Sequence, residues 1–283
     1  MKNNIALGAL LIIASELSLL FTGMIIKQIT DDVPLEQIVF LRNLMGLALL
    51  MPWLFNKGIQ RLHTKRLSMH ILRGIVGVSA MVCMFYTWGH LPLAQAALLK
   101  QTSPLFIPFI AYLWLHERIG IKTIIGLIMG FIGVLLIINP DAQQADFNFA
   151  IIVALIGAIL AGVAKVSIRK MRSTETPGCI VFYFALTGTI ASIIPAVLAW
   201  EHLNWIQWAY LVGIALFSTI GQLLLSKAYG LAPAGQLGPY TYTSVAFAAL
   251  FGWLIWSETL VINTWIGIII IVFAGILAVT DRP

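Results

Sequence analysis

The stretch that decides the fold is GHLPLAQAALLKQTSPLF at residues 89–106, which returns as GLAPAGQLGPYTYTSVAF at residues 230–247. Residues 88–140 align with residues 229–281 without a gap. Each residue in the first range thus aligns with the one 141 positions later, as residue 89 aligns with residue 230. Both copies are strongly apolar. A duplicated apolar unit is typical of membrane proteins that are built from internal repeats.

The composition of the chain indicates a membrane protein. Hydrophobic residues make up 60% of the sequence and charged residues only 10%, which is less charge than the surface of a soluble protein needs. The net charge of +6 comes from short loops and forms no basic stripe with aromatics, so we expect no nucleic-acid partner. Cys83 and Cys179 lie in apolar runs, which favours packing over a disulfide or a metal site.

Breaks in the apolar pattern divide the chain into segments long enough to cross a bilayer. A hydrocarbon core of about 30 Å requires about 20 apolar residues per helix. The ten predicted spans are 5–27, 36–55, 69–89, 93–115, 120–138, 149–168, 178–200, 206–227, 234–256 and 262–280. We therefore predict an all-α polytopic protein with the lipid bilayer around it and no soluble domain.

The distribution of positive charge predicts how these spans are oriented. With the N-terminus inside, nearly all Lys and Arg residues fall at inner span ends, and the outer loops contain only Lys27. Acidic residues such as Asp31 and Glu201 fall outside. Because positive loops are retained in the cytoplasm, we expect both termini to be cytoplasmic in a bacterial-type inner membrane.

The repeat and the span count together predict the architecture. Five spans per copy is an odd number, so the second copy must enter the membrane from the opposite side. The prediction is two inverted five-helix repeats, residues 1–140 and 149–283, around a central cavity. The loops agree, because Arg118 and Lys122 follow the fourth span whereas residues 259–263 after the ninth contain no positive charge.

Motifs in both halves resemble the drug/metabolite transporter superfamily, in particular its EamA-type members with ten helices. The motifs are FLR at 40–42, LPLAQA at 91–96, TSPLF at 102–106, LHER at 115–118, APA at 232–234 and SE at 257–258. The resemblance implies a cavity lined by spans one to four and six to nine, with alternating access. It leaves the substrate open, since similar chains are associated with amino acids, nucleosides, riboflavin, S-adenosylmethionine and drugs.

Three ionisable residues, Glu16, Arg42 and Lys100, stand out within the predicted spans. A charge at membrane depth costs at least a few kcal/mol unless it is paired or hydrated, so each is a candidate functional residue. A rise of about 1.5 Å per residue places all three between the midplane and the outer leaflet. Either Glu16 pairs with Arg42 or Lys100 to join helices, or the two bases hold a carboxylate or phosphate of the substrate. In the second case Glu16 balances the bases or receives the ammonium group of the substrate or a coupling proton.

Polar and aromatic residues on the central spans complete the predicted substrate site. Such side chains donate hydrogen bonds to an amphipathic metabolite or stack on it, although some of them serve only as contacts between helices. The candidates are Gln95, Gln101, Thr102, Tyr183, Gln222, Gln236, Tyr240 and Tyr242.

The sequence predicts a transporter rather than an enzyme. His116 and Glu117 begin like a zinc-protease motif, but Gly120 occupies the second histidine position, and the sequence contains no nucleophile elbow or Walker loop. We expect a secondary, ATP-independent carrier of a small organic metabolite, anionic or zwitterionic, without cofactor or metal. A multidrug or cationic-compound exporter of the same fold and a non-transporting membrane scaffold are the alternatives.

Overall fold

A computed structural model describes residues 5–58, 62–115, 121–137, 145–171, 174–231, 240–258 and 262–280, and it contains no β-strand within these ranges. The helices are α1 (Ile5–Ile29), α2 (Leu35–Lys57), α3 (Leu67–His90), α4 (Leu93–Lys100), α5 (Ser103–Leu115), α6 (Ile121–Ile137), α7 (Ala145–Met171), α8 (Pro177–Leu198), α9 (Trp205–Leu231), α10 (Thr243–Trp256) and α11 (Ile262–Thr280). Seven helical stretches among them are long and apolar enough to cross a membrane, and shorter apolar helices accompany them. The prediction of an all-α, multi-pass membrane protein is confirmed at this level.

The helices carry apolar side chains on their outer surface as well as in the core. Lipid offers no hydrogen bonds, so a chain that crosses it must satisfy its backbone groups internally, and helices do this. Leu198 and Ile194 are 82% and 69% exposed and face outward. Leu98 and Ile38 are fully buried in the core.

The fourth predicted span contains two helices rather than one. α4 ends at Lys100 and α5 begins at Ser103, with a tight turn between them in which the Thr102 amide donates to the Leu99 carbonyl at 3.1 Å. Pro104 follows directly, and it has no N–H to continue a helical ladder across the turn. The span is therefore interrupted inside the bundle.

A second interruption lies at the matched position of the other copy. Tyr242 adopts a turn and α10 begins at Thr243, whereas residues 232–239, where the ninth span is predicted to begin, lie outside the described residues. The two interruptions meet, because Gln101 Nε2 donates to the Thr241 carbonyl at 2.9 Å and to Ser244 Oγ at 2.8 Å. Two polar turns are thus joined in the interior.

The helices pair across the two halves of the chain. The most extensive contacts join α1 with α9, α3 with α7, α2 with α8, and α6 with α11. On α6, a Cβ added to Gly133 would lie 2.7 Å from Ile271 Cγ1 and 3.1 Å from the Gly267 carbonyl oxygen. Small residues allow helix backbones to approach this closely. The two halves therefore pack as one body.

Glu258 connects three parts of the bundle at the C-terminal end of α1. One carboxylate oxygen accepts from the Leu93 amide at 2.8 Å, and the other pairs with Lys27 Nζ at 3.0 Å. Lys27 Nζ also donates to the Leu91 carbonyl at 3.1 Å. A carboxylate at a helix N-terminus satisfies a free N–H and interacts favourably with the helix dipole. These contacts join α1, the start of α4 and the segment that follows α10.

Candidate functional site

A cavity lies between the helices at the centre of the bundle. Side chains from α1, α2, α3, α4, α7, α8 and α9 line it, together with Thr241 at the second interruption. The space that the centre of a water-sized sphere can reach inside it is about 140 Å³. Small-molecule sites in proteins are concave and mostly apolar with a few polar groups, and this cavity has that character.

Ionisable side chains from five helices line this cavity. Among the described residues they are one carboxylate and four bases: Glu16, Arg42, Arg73, Lys100 and Lys165. The structure places Glu16, Arg42 and Lys100 in the lining of one cavity. Sequence reasoning missed Arg73 and Lys165, because positive charge near an inner span end also serves as a topology signal. The available signal was their position inside the predicted spans 69–89 and 149–168.

Glu16 and Lys100 form a direct ion pair at the first interruption. Lys100 Nζ lies 2.6 Å from Glu16 Oε2, and Gln101 Nε2 approaches the same oxygen at 3.4 Å. On the other side of the turn, Lys165 Nζ lies 3.4 Å from Ser103 Oγ. Because α4 ends at Lys100, the interruption sets the direction of this ammonium group. The pairing of Glu16 with a base is therefore present in the structure.

Two guanidinium groups flank the ring of Phe184. Arg42 Cζ lies 5.4 Å and Arg73 Cζ 4.5 Å from the centroid of this ring, which is cation–π distance. Arg42 Nε donates to Ser218 Oγ at 2.7 Å, and its Nη1 donates to Asn43 Oδ1 at 2.8 Å. Both arginines are buried. No carboxylate within the described residues forms an ion pair with either of them.

Arg73 presents donors that the described residues do not satisfy. Its Nε and Nη1 atoms are buried without a hydrogen-bond partner, and so is Nε1 of Trp88, which lines the same cavity. A buried donor without a partner costs about 1–3 kcal/mol, and more when it carries a charge. The cavity therefore offers positive charge and N–H groups to an acceptor on a ligand.

Some of the other sequence candidates lie near this cavity and some do not. Gln222 lines it, and Gln101 joins the two interruptions. The Thr102 hydroxyl donates to the carbonyl of Leu99 at 2.7 Å, within its own turn. The Tyr183 hydroxyl donates to the carbonyl of Leu62 at 2.9 Å, away from the cavity lining.

The remaining candidates occupy other environments. Gln95 is buried on α4 and does not line the cavity. Tyr242 lines a separate apolar pocket beside Trp253, and Tyr240 is 37% exposed. Gln236 lies outside the described residues. The candidates that converge on one cavity are thus mainly the charged ones.

A second polar cluster lies outside the cavity, where α3 and α8 begin. His70 Nε2 is 3.4 Å from Glu175 Oε2, and Cys179 Sγ is 3.6 Å from the same oxygen and 4.0 Å from His70 Nε2. The Thr64 hydroxyl donates to Glu175 Oε1 at 2.8 Å. Burial raises the pKa of Glu175, but the hydrogen bonds from Thr64, His70 and Cys179 outweigh burial and lower it. This cluster is therefore built around a carboxylate.

Comparison with known families identifies what kind of protein has this cavity. Residues 6–139 and 148–280 each match the EamA-like transporter family. The chain belongs to this family. The resemblance to EamA-type members of the drug/metabolite transporter superfamily is thereby confirmed, and the protein is a transporter rather than an enzyme.

Relatives of the transporter are named for different substrates. The chain is 30% identical over 277 residues to the pseudopaline exporter of Pseudomonas aeruginosa, covering 95% of this chain and 94% of the relative. It is 27% identical to a riboflavin transporter of Vibrio cholerae, covering 85% and 81%. It is 26% identical to an S-adenosylmethionine uptake transporter of Rickettsia bellii, covering 83% and 80%.

A solved structure shares the fold of the transporter. This crystal structure superposes with a TM-score of 0.66, covering 98% of this chain and 97% of the other chain, at 18% sequence identity. At that identity the likeness concerns the fold alone.

Proposed function

We propose that the transporter is a secondary, ATP-independent carrier of a small organic metabolite that bears a carboxylate or phosphate group. The observation that carries the proposal is that the guanidinium groups of Arg42 and Arg73 are buried against the ring of Phe184. The described residues supply no acidic partner for either group. A buried charge without a counter-charge is strongly destabilising. An anionic group of the substrate supplies the missing counter-charge.

The rest of the cavity suits an organic anion or zwitterion. Met81, Met84, Phe85 and Trp88 provide apolar and aromatic surface for the body of the molecule. Glu16 is the acid of the cavity, and it takes either the ammonium group of a zwitterion or a coupling proton. A cationic-compound exporter, the alternative with the same fold, does not account for the excess of bases over acids among the described residues that line the cavity.

We also propose that transport occurs by alternating access between two inverted repeats, residues 1–140 and 149–283. The 141-residue offset matches α1 with α7, α2 with α8, α3 with α9 and α6 with α11. The contact between α1 and α9 then has its counterpart in the contact between α7 and α3, as a two-fold relation requires. Interrupted spans at the repeat interface are a recurring feature of substrate sites in such transporters.

We propose that both termini face the cytoplasm of a bacterial-type inner membrane. The charge distribution in the loops supports this orientation. Of two exposed histidines, His63 then lies in an inner loop and His202 in an outer loop. In a cysteine-free background, we expect an impermeant thiol reagent added to intact cells to label His202→Cys and not His63→Cys. The reverse pattern contradicts the orientation.

Transport assays with matched substrate pairs test the proposed substrate class. Tracer flux into proteoliposomes is measured for amino acids, nucleosides and S-adenosylmethionine, and each carboxylate substrate is compared with its amide. We expect transport of compounds with a free anionic group, and we expect the amide to lose at least an order of magnitude in uptake, because it cannot neutralise the guanidinium groups. Equal transport of acid and amide, or transport of quaternary ammonium compounds alone, rules out the proposal.

A further inference from the structure

We propose that His70, Glu175 and Cys179 form a binding site for a divalent transition-metal ion, for which zinc fits the ligand set best. Imidazole nitrogen, carboxylate oxygen and thiolate sulfur are the three ligand types that zinc uses in proteins. One atom of each type is available here, and the three atoms lie within 4.8 Å of one another. This site could not be predicted from the sequence, because Cys179 lies in an apolar span, where a thiol is ordinary packing.

The spacing of the ligand atoms agrees with tetrahedral coordination. Zinc lies about 2.0–2.3 Å from such ligands, which places the ligand atoms roughly 3.3–3.8 Å apart. The nitrogen–oxygen and sulfur–oxygen distances of 3.4 and 3.6 Å fall in this range. The sulfur–nitrogen distance of 4.0 Å requires a shift of a few tenths of an ångström. A small rotation of the Cys179 side chain completes a three-ligand set, with a fourth position for water.

Burial and charge favour the same occupant. His70 and Cys179 are each 1% exposed, and the side chain of Glu175 is 5% exposed. When Cys179 loses its thiol proton to water, a carboxylate, a thiolate and a neutral imidazole balance a divalent cation. The Thr64 hydroxyl donates a hydrogen bond of 2.8 Å to the other carboxylate oxygen of Glu175. Hydrogen bonds of this kind, from residues that do not touch the metal, orient a metal ligand.

If the protein transports its substrate as proposed above, a metal ion at this site also affects the transport cycle. His70 and Arg73 lie on the same turn region of α3, and Cys179 and Phe184 lie on α8. A metal ion that joins the beginnings of these two helices therefore restricts the movement of the guanidinium group against its aromatic ring. We expect an occupied site to slow transport, which makes the site regulatory rather than part of the substrate cavity.

Cobalt absorption tests metal binding independently of transport. Purified tag-free transporter is titrated with Co²⁺, whose bond to a thiolate gives a charge-transfer band in the near ultraviolet. The chain contains only two cysteines, so Cys83→Ser is a matched control for Cys179→Ser. We expect the band in the wild type and in Cys83→Ser, its loss in Cys179→Ser, and its displacement by Zn²⁺. A missing band in the wild type, or a band that survives in Cys179→Ser, overturns the proposal.

Two further variants keep the thiol and separate binding from folding. Glu175→Gln removes a ligand. Thr64→Val removes the hydrogen bond that orients this ligand, together with the bond that the Thr64 oxygen accepts from the Arg66 amide at 2.9 Å, so its melting temperature is measured alongside. We expect Glu175→Gln to weaken Zn²⁺ binding more than Thr64→Val, for which a loss of about 10- to 100-fold is expected. Zn²⁺ affinity that is unchanged in both variants, with melting temperatures like that of the wild type, contradicts the site even if the transporter carries anions.

Discussion

Arg73→Met is expected to abolish most transport while leaving the protein at least as stable as the wild type. Its Nε and Nη1 donors are buried without a partner in the described residues, so methionine removes a destabilising group. The substrate, by contrast, loses a charge-assisted contact worth about 2–4 kcal/mol, or roughly 30- to 1,000-fold in affinity. Substrate affinity and the melting temperature, measured on the same preparation, check both parts.

Arg66→Met is the matched control for this prediction. The Arg66 guanidinium donates to the Lys170 carbonyl at 2.8 Å and does not line the cavity. We expect this variant to keep the substrate affinity of the wild type. If Arg73→Met melts well below the wild type and loses transport in proportion, Arg73 has a structural role, and the anion must bind elsewhere.

Glu16→Gln and Lys100→Met are each expected to impair transport severely. The two groups are 2.6 Å apart, and the Lys100 side chain is 20% exposed whereas that of Glu16 is 5% exposed. Removing one member of this pair leaves the other charge uncompensated inside the cavity. If Glu16 carries a coupling proton, Glu16→Gln should also flatten the pH dependence of flux, while Lys100→Met should mainly weaken substrate affinity. Initial rates of uptake across a series of pH values measure both effects.

The double variant Glu16→Gln, Lys100→Gln separates a functional pair from a structural one. We expect it to remain folded and to transport poorly, since the cavity loses both charges. Normal transport by the double variant would show that the pair only joins α1 to α4. The substrate site would then have to be sought among Gln95, Gln236, Tyr240 and Tyr242.

Much of the architecture could be predicted from the sequence because its signals are local. The duplication is visible as matched residues at one offset, and Glu16, Arg42 and Lys100 are conspicuous in apolar runs. The interruption after Lys100 could not be placed, although four polar residues, KQTS at 100–103, stand there, because polar side chains inside a span also line cavities without breaking the helix. A proline such as Pro104 favours a bend, but a proline alone does not distinguish a kinked helix from two helices.

The missed cavity residues show why helix rotation is hard to predict in a membrane. A helix that is apolar on all sides has no periodicity to show which face turns toward the cavity. Arg73 and Lys165 lie near inner span ends, where positive charge also serves as a topology signal. The contacts of Glu175 with His70 and Thr64 join residues more than 100 positions apart, and no spacing rule predicts them.

The central claim is that the buried guanidinium groups of Arg42 and Arg73, which contact the ring of Phe184, bind the anionic group of the substrate. The most direct measurement is an experimental structure of the transporter with a transported substrate bound. We predict a carboxylate or phosphate oxygen about 2.7–2.9 Å from Nε or Nη1 of Arg73, the distance of a charge-assisted hydrogen bond. A substrate whose anionic group lies elsewhere, with the Arg73 donors still unpaired, would contradict the account.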